Sequence, residues 1–384
     1  MHLAFRPAAL TAPQPLCYHC PGSSSVSVSE QDIPGIALIG CGGMAAHYRD
    51  SYTSIPGTAY RLVVDADAAL ARSVAKQLAV PRSSADWRDA LAPDIRIADI
   101  STPNHLHAEQ ATALLAAGKH VLLQKPMAPT VPECTQIVEA ARASRVTAGV
   151  YMSDLEDPLV WDLREMVRGG HLGAISSVRG RYAHRGGLRA QPAVTNWRGS
   201  AEKTGGGSFI QLSLHHTNLL SWILGERIAS VMAYSANRMC PNIGGDDTTA
   251  AVCEFAGGAP GVFESAWNAD GTLLEIFGSE GRVRVFGGQG SAAEVVVGRP
   301  FTTGRVVRAE EPGKVVRVPA CGDLRAHCRR DNPLNQHVAF VEAVLAGREP
   351  QVTAETGRYD VAVAKAVYAS AEQGRRIAIT EMLA

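Results

Sequence analysis

The sequence predicts an α/β protein with two domains. The first is built on a doubly wound parallel sheet, and the second is an α+β domain with a large, mostly antiparallel sheet. Three observations support this fold class. A glycine-rich turn follows the first apolar segment, and strand-like and helix-like segments alternate from there to residue 151. Short strand-like segments separated by glycine-rich turns then characterise 228–318.

The glycine-rich turn lies in residues 36–45, where an apolar strand runs into the pattern G-x-G-x-x-A. Gly40 permits a tight turn, Gly42 lets a pyrophosphate approach the backbone, and Ala45 lets the following helix pack close to the strand. Backbone N–H groups at the start of that helix would face the phosphates. The pattern predicts a Rossmann domain in which a dinucleotide is held by Gly40, Cys41, Gly42, Gly43, Met44 and Ala45. The alternative is an ordinary glycine turn.

The second predicted strand ends in Asp65, 20 residues after Ala45. A carboxylate at this position accepts hydrogen bonds from the adenosine ribose hydroxyls and repels a 2′-phosphate. No arginine follows it directly, because the next residues are Ala66 and Asp67. We therefore expect NAD as the cofactor rather than NADP.

The N-terminal, NAD-binding domain is expected to span 33–152, after a flexible extension at 1–32 that is rich in proline and serine. Its strands are expected at 36–40, 60–64, 95–100, 120–124 and 146–151. Its helices are expected at 43–53, 67–78, 84–91, 105–117 and 131–144.

The C-terminal domain, which is expected to bind substrate and a second copy of the chain, spans 153–384. Its helices are expected at 158–169, 208–224, 333–346 and 355–374. Its strands are expected at 175–183, 228–235, 248–256, 260–268, 272–277, 281–286 and 293–297.

The composition argues against several classes of protein. Lys plus Arg and Asp plus Glu both number 37, and this zero net charge gives no reason to expect a nucleic-acid or membrane partner. No stretch is long and apolar enough to span a bilayer. Cys17 and Cys20 form a C-x-x-C without a second pair at zinc-ribbon spacing, so we expect no metal site. The scattered remaining cysteines are typical of reduced thiols in a cytoplasmic protein.

Polar residues follow two of the predicted strands. Lys125 comes directly after 120–124, at the strand edge where open α/β sheets bind ligands. A lysine there donates to a substrate oxygen, and partial burial lowers its pKa. The alternative is a lysine that ends a strand in solvent. After the strand at 95–100, the candidates for the nicotinamide end are Thr102, Pro103, Asn104 and His107, with helix capping as the alternative for Asn104.

A third polar group begins a helix in the second domain. Three glycines at 205–207 precede it and allow close approach of a ligand. Gln211 and His215 are four residues apart, and Asn218 follows three residues later, so all three lie near one face of an α-helix. The alternative is a buried polar cluster that joins two elements.

Together these motifs resemble those of the glucose–fructose oxidoreductase, inositol dehydrogenase and MocA (Gfo/Idh/MocA) family of NAD(P)-dependent enzymes. Besides the Gly40 turn, the matching segments are STPNHLHAEQATALLAAGKHVLLQKPMAPT, GGGSFIQLSLHHTNLLSWILG and FVEAVLAGREPQVTAETGRYDVAVAKAVYASAEQGRRIAI. The resemblance runs from about residue 33 to the end of the chain.

The resemblance implies that Lys125 touches the reacting oxygen and that His215 exchanges the proton of the substrate hydroxyl. It also shows three departures, because Gln124, Gln211 and Asn218 stand where the family has carboxylates. We expect Gln124 to bond a ribose hydroxyl, and Gln211 and Asn218 to bond substrate hydroxyls. Without a carboxylate neighbour, His215 should titrate near about pH 6.5. Lys125 remains the alternative proton acceptor.

Two further residues are expected at the substrate. His184 ends a strand in a segment that resembles the family's substrate-binding segment. Trp197 is expected to form a wall of the pocket, with a place in the core as the alternative.

These inferences predict an NAD-dependent oxidoreductase that moves a hydride between nicotinamide C4 and a secondary alcohol or ketone of a sugar, cyclitol or sugar-containing metabolite. Two alternatives are transient use of NAD in glycoside cleavage and a non-catalytic sugar or NAD sensor. An antiparallel sheet with one uncovered face also predicts a homodimer or homotetramer.

Overall fold

A six-stranded parallel sheet dominates the first half of the computed structural model, which describes residues 34–47, 59–190, 196–286, 292–297, 315–318 and 334–384. Its strands are β1 (Gly35–Ile39), β2 (Ala59–Val64), β3 (Ser83–Ser84), β4 (Ile97–Ile100), β5 (His120–Gln124) and β6 (Ala148–Tyr151). They lie in the order β3-β2-β1-β4-β5-β6, and all neighbours are parallel. The chain therefore winds outward from β1 in both directions, which places a crevice at the β1–β4 reversal.

Helices connect these strands: α1 (Gly43–His47), α2 (Ala68–Gln77), α3 (His107–Ala116) and α4 (Val131–Ser144). Every residue of β1 and β4 is buried, as expected for central strands that are covered on both faces. Thr130 caps α4 by accepting a hydrogen bond from the N–H of Glu133, and its hydroxyl donates to the Glu133 carboxylate.

The second sheet has nine strands: β7 (Ile175–Ala183), β8 (Ile228–Ala236), β9 (Thr248–Phe255), β10 (Pro260–Ala266), β11 (Leu273–Gly278), β12 (Gly281–Phe286), β13 (Ala292–Val297), β14 (Val315–Val318) and β15 (Ile377–Ala378). Their order is β14-β13-β12-β11-β7-β10-β9-β8-β15. Only the β7–β10 pair is parallel among these described strands. Along β9 buried and more exposed residues alternate, so one face packs on the core and the other is open.

The remaining helices are α5 (Pro158–Arg168), α6 (Ala201–Thr204), α7 (Leu214–Leu224), α8 (Gln336–Leu345), α9 (Ala354–Gln373) and α10 (Thr380–Leu383). A π-helical turn, Phe209–Ser213, leads directly into α7. The long helix α9 packs against α4 of the first half and β8 of the second, so one apolar core continues from sheet to sheet.

The predicted fold class is confirmed, and the differences are local. Strand β3 has only two residues, both serines, so no apolar pattern announces it. The helix expected at 84–91 is a 3-10 turn at Trp87–Leu91. The helix expected at 208–224 begins with the π-helical turn, which an α-helical period does not predict.

The expected extension 1–32, with Cys17 and Cys20, lies outside the described residues. Within the described ranges, no helix combines the length and the apolar character needed to cross a membrane.

Candidate active site

A cavity of about 860 Å³ opens at the carboxyl edge of the parallel sheet. One wall is formed by the ends of β1, β2, β4 and β5. The other is formed by residues around 184–190 and 196–198 and by the π-helical turn. Open α/β sheets bind ligands at this edge because the connections diverge there. The volume is within the range of small-molecule sites.

The glycine-rich turn forms one end of the cavity through Gly40, Gly42, Gly43 and Met44. Gly40 has a φ of +97°, and a Cβ there would lie 2.7 Å from the carbonyl carbon of Ser101. Gly42 and Gly43 face open space, with no atom within 4 Å of a Cβ position. The turn is therefore a cradle that a phosphate can approach closely. The side chains of Cys41 and Ala45 are buried below it, so these two residues contribute through packing and backbone.

Asp65 lies at the same end, as the sequence predicts. Its Oδ2 accepts a hydrogen bond of 2.8 Å from the N–H of Cys41, and its Oδ1 accepts one of 2.9 Å from the N–H of Asp67. These bonds fix the carboxylate beside the glycine turn. Each oxygen keeps a second lone pair for a ribose hydroxyl. The cradle and the oriented carboxylate together fit a dinucleotide.

The loop after β4 forms the middle of the cavity through Thr102, Pro103 and Asn104. His107 is placed differently from the expectation. Its ring is fully buried, with Nε2 2.9 Å from the carbonyl oxygen of Thr102 and Nδ1 3.2 Å from those of Pro126 and Met127. The ring therefore ties the loop after β4 to the loop after β5, and this corrects the expected contact between His107 and the cofactor.

Lys125 extends from the end of β5 into the cavity, and Gln124 lies beside it. The Lys125 ammonium donates a 2.9 Å hydrogen bond to the carbonyl oxygen of Gln211, while Gln124 Oε1 accepts from the N–H of Lys125. Burial lowers the pKa of Lys125 to about 8, against an opposing attraction from Asp154. A lysine with this pKa gives up or takes a proton near neutral pH, as an acid–base group must.

Two side chains from other parts of the chain, buried Asp246 and half-buried Tyr368, fix the three-glycine turn before the π-helical turn. Asp246 accepts hydrogen bonds of 3.0 Å from the N–H groups of Gly207 and Phe209, and the Tyr368 hydroxyl accepts from Gly207 and Ile210. A Cβ at Gly206 would lie 2.4 Å from the Tyr368 ring. The turn therefore requires glycine, and its fixed backbone positions Gln211.

Gln211 lies in the cavity wall, as the sequence predicts. Its amide Nε2 donates to Oδ1 of Asn104 at 3.1 Å and to the carbonyl oxygen of Thr204 at 3.2 Å. Gln211 thus joins the loop after β4 to the π-helical turn, and its Oε1 can act as a hydrogen-bond acceptor.

His215 follows Gln211 by four residues but is not among the residues that line the cavity. Its Nδ1 lies 2.6 Å from Oδ2 of Asp154, which belongs to the 3-10 turn Ser153–Glu156 after β6. The expectation that His215 has no carboxylate neighbour is therefore wrong. Burial lowers the pKa of His215, Asp154 acts in the opposite sense, and Lys125 adds to the lowering. The ring stacks on Tyr182, with 5.2 Å between the ring centroids.

Asn218 also lies away from the cavity, which corrects its expected contact with substrate. It is buried, and its Nδ2 donates a 2.8 Å hydrogen bond to Oδ2 of Asp360 on α9. Burial raises the pKa of Asp360 from 3.8 to about 8, with Asn218 and Arg227 acting against the shift. The amide therefore serves the contact between α7 and α9.

We expect Asp360→Asn to make the stability of the protein less sensitive to a rise in pH between about 4 and 8. Because the pKa of Asp360 is raised on folding, its contribution to stability is full below the unfolded value of 3.8 and is lost as the pH rises through about 8. An asparagine still accepts from Asn218 and does not titrate. In thermal unfolding from pH 5 to pH 9, the variant should gain on the wild type by up to about 1.4 kcal/mol per pH unit below pH 8. Exposed Asp89→Asn is the control, and parallel curves for Asp360→Asn and the wild type would contradict the assignment.

His184 and Trp197 line the same cavity, and their contact with substrate stays a prediction. His184 Nδ1 accepts a 2.9 Å hydrogen bond from the N–H of Gly186. Burial lowers the pKa of His184, and Lys125 acts in the same direction. The guanidinium carbon of Arg198 lies 4.5 Å from the centroid of the Trp197 ring. This part of the cavity thus offers an aromatic wall with polar groups beside it.

Sequence reasoning missed Asp154 and Tyr182, the two residues that contact the His215 ring. A signal for Asp154 was present, because it follows the carboxyl end of β6 just as Asp65 and Lys125 follow β2 and β5. Tyr182 gave no such signal, since its position in β7 suggests only a strand residue.

Four features define the class of protein, a nicotinamide-dependent oxidoreductase: the parallel sheet, the glycine cradle, the carboxylate of Asp65 and the half-buried Lys125. Family models agree: residues 35–152 match "Oxidoreductase family, NAD-binding Rossmann fold", and residues 164–379 match "Oxidoreductase family, C-terminal alpha/beta domain". The chain belongs to this Gfo/Idh/MocA oxidoreductase family, and its cofactor is NAD.

Similar proteins carry related names. Levoglucosan dehydrogenase of Pseudarthrobacter phenanthrenivorans is 28% identical over 283 residues, which are 65% of this chain and 72% of that protein. Myo-inositol 2-dehydrogenase of Thermotoga maritima is 24% identical over 352 residues, 91% and 99% of the two chains. Among solved structures, GenD2 from gentamicin A biosynthesis in complex with NAD is 26% identical, with a TM-score of 0.75 over 90% of this chain and 96% of that one.

Proposed function

We propose that this protein oxidises a secondary alcohol of a sugar, cyclitol or sugar-containing metabolite with NAD, and reduces the ketone in the reverse direction. The proposal rests on one observation: Lys125 lies in the same cavity as the glycine cradle, and its pKa is lowered to about 8. When bound, NAD supplies the hydride acceptor at nicotinamide C4. The names of the similar dehydrogenases support a polyhydroxylated substrate.

The chain's own residues divide the remaining tasks. Lys125 binds the reacting oxygen and takes its proton during oxidation, because it lies in the cavity wall and its pKa is lowered to about 8. His215, behind it, is the second proton acceptor. Gln211 and His184 bind further hydroxyls. Oε1 of Gln211 accepts, because its Nε2 donates to Asn104 and Thr204, and Nε2 of His184 donates, because its Nδ1 accepts from Gly186. The Trp197 ring packs against the apolar C–H face of a sugar.

A substrate panel tests the proposed function. The purified full chain is mixed with NAD and with cyclitols, aldoses, sugar alcohols or anhydro sugars, and with NADH and the matching ketones, while the nicotinamide absorbance is followed. We expect turnover with at least one compound. Retained NAD with substrate consumption but no net NADH would instead indicate transient oxidation, and binding of NAD and sugar without turnover would indicate a sensor.

We further propose that the open face of the nine-stranded sheet pairs with a second copy of the chain. Met232, Val252 and Val262 are 55%, 55% and 38% exposed, and they are register neighbours across β8, β9 and β10. They form an exposed apolar stripe, and a patch of this kind marks an interaction site. A two-fold axis through such a stripe would pack the stripe of one copy against the same stripe of the second copy.

We expect Val252→Arg to shift the protein toward monomer in size-exclusion chromatography with light scattering. The substitution places a charge at the centre of the stripe, where the partner's copy of the same charge would face it. Leu70→Arg, at an exposed leucine on α2, is the matched control and should leave the mass unchanged. An unchanged mass for Val252→Arg would place the interface elsewhere.

A further inference from the structure

Three amides stand where the resemblance expects carboxylates, and the structure accounts for each of them. Gln124 accepts from the backbone N–H of Lys125, Gln211 donates to Asn104, and Asn218 donates to Asp360 away from the cavity. None of the three brings a negative charge to Lys125 or His215. Proton transfer at these two residues nevertheless creates a buried positive charge, which is costly without a counter-charge.

One carboxylate reaches this region from a different element. Asp154, in the turn after β6, lies 2.6 Å from His215, and the exposed fractions of the two side chains are only 10% and 8%. Its charge acts on Lys125 from the end of β5, on Tyr182 from β7, and on His215 and His216 of α7. On the pKa of Lys125, the charge of Asp154 therefore acts in the opposite sense to that of Arg198, which disfavours protonated Lys125.

We propose that Asp154 is the positioning carboxylate of this site, in which positions 124, 211 and 218 hold amides where the resemblance expects acidic residues. It orients His215 and stabilises the positive charge that forms when the substrate hydroxyl loses its proton. The inference rests on the proposed function.

The contact with Asp154 fixes the tautomer of His215. A carboxylate oxygen only accepts hydrogen bonds, so Nδ1 carries the proton and Nε2 keeps its lone pair. The stacked Tyr182 ring holds the imidazole in this plane. In this tautomer and orientation, Nε2 of His215 can accept a proton and cannot donate one.

In the balanced reaction Lys125 moves the proton and Asp154 stabilises the charge that results. Oxidation of a secondary alcohol transfers a hydride, with two electrons, to NAD and a proton to the neutral amine of Lys125, and leaves the ketone. Lys125 is then an ammonium whose charge Asp154 offsets. In the reverse direction the ammonium returns the proton to the carbonyl oxygen.

The test is the pH dependence of kcat/KM for alcohol oxidation by Asp154→Asn. Asparagine keeps the shape and one oxygen but removes the charge that raises the pKa of Lys125 and His215. We expect kcat to fall by about 10- to 100-fold at the optimum. We also expect the limb on which activity rises with pH to move down by about one unit. A loss of packing alone would lower the rate without moving the limb, and an unmoved limb overturns the proposal.

Asp157→Asn is the matched control. Asp157 is three residues away and also buried, but it caps α5 by accepting from the N–H of Leu159 at 2.9 Å. We expect its substitution to lower the melting temperature and to leave the pH limb in place. An equal shift in both variants would count against a specific role for Asp154.

A second measurement does not depend on turnover or on the folding of a variant. In the full chain labelled with ¹⁵N-histidine, with His215→Asn to assign the signal, we expect His215 to be protonated on Nδ1 and unprotonated on Nε2 at pH 7. The opposite tautomer overturns the proposal. If the tautomer is as expected but no sugar or cyclitol is turned over, the proposed function fails and the assignment of Asp154 as the partner of His215 stands.

Discussion

Replacing Lys125 with methionine is expected to lower kcat by about 10³-fold or more while NAD binding remains. Methionine fills a similar volume but neither holds the reacting oxygen nor moves its proton, and acid–base groups commonly contribute about 10²- to 10⁴-fold. The glycine cradle and Asp65, which hold the other end of the dinucleotide, are untouched. The measurements are steady-state rates with a substrate from the panel, and NAD affinity by fluorescence or calorimetry.

The wild-type pH profile should carry the signature of the same lysine. Oxidation requires the neutral amine, so its rate should rise with pH toward about 8, and ketone reduction requires the ammonium, so its rate should fall above that value.

Lys119→Met is the matched control for Lys125→Met, because the Lys119 ammonium is bound to the carbonyl oxygens of Ala92 and Ile95 at the opposite end of β5. It should reduce stability and spare kcat. Comparable loss of kcat in both variants would remove Lys125 from the chemistry.

Replacing Asp65 with asparagine is expected to weaken NAD binding by about 10-fold and to reduce the preference for NAD over NADP by about 100-fold. The substitution removes the negative charge that a 2′-phosphate would meet and one of the two ribose acceptors. The remaining amide oxygen still accepts one of the two backbone N–H groups, so the turn keeps part of its support. Affinities for both nucleotides by calorimetry provide the measurement.

Asp67→Asn separates this effect from a general change of charge. Asp67 is two residues away, and it caps α2 by accepting from the N–H groups of Ala69 and Leu70. Its substitution should lower stability slightly and leave the ratio of the two affinities unchanged. If Asp65→Asn also left the ratio unchanged, the discrimination would have to lie in another part of the adenosine site.

Much of the fold follows from local patterns. Apolar runs such as those of β1 and β5 are readable because buried parallel strands are apolar along their whole length. Strand β3 could not be predicted in this way, since Ser83 and Ser84 are not apolar and join the sheet through backbone pairing. The π-helical turn could not be predicted from local patterns either, because its first N–H groups are bound by Asp246 and Tyr368, which are distant in the sequence.

The site shows the same division. The rule that parallel strands end at one edge placed Asp65 and Lys125 in a single cavity, and it would also have selected Asp154. The α-helical period, in contrast, suggested a shared face for Gln211 and Asn218, although Asn218 packs on α9. A histidine in this loop could contact a ligand or could hold two loops together. Only the three carbonyl oxygens next to the His107 ring show that it holds the loops together.

The hydrogen bond between Asn104 and Gln211 makes the two halves of the cavity energetically dependent on each other. A molecule that binds beside Asn104 changes the acceptor available to Gln211, and a molecule that engages Gln211 changes the donor that Asn104 meets. The two affinities are then coupled. By thermodynamic reciprocity, the cofactor must alter substrate affinity by the same factor as the substrate alters cofactor affinity. A single amide pair thus links the affinity for the cofactor to the affinity for the substrate.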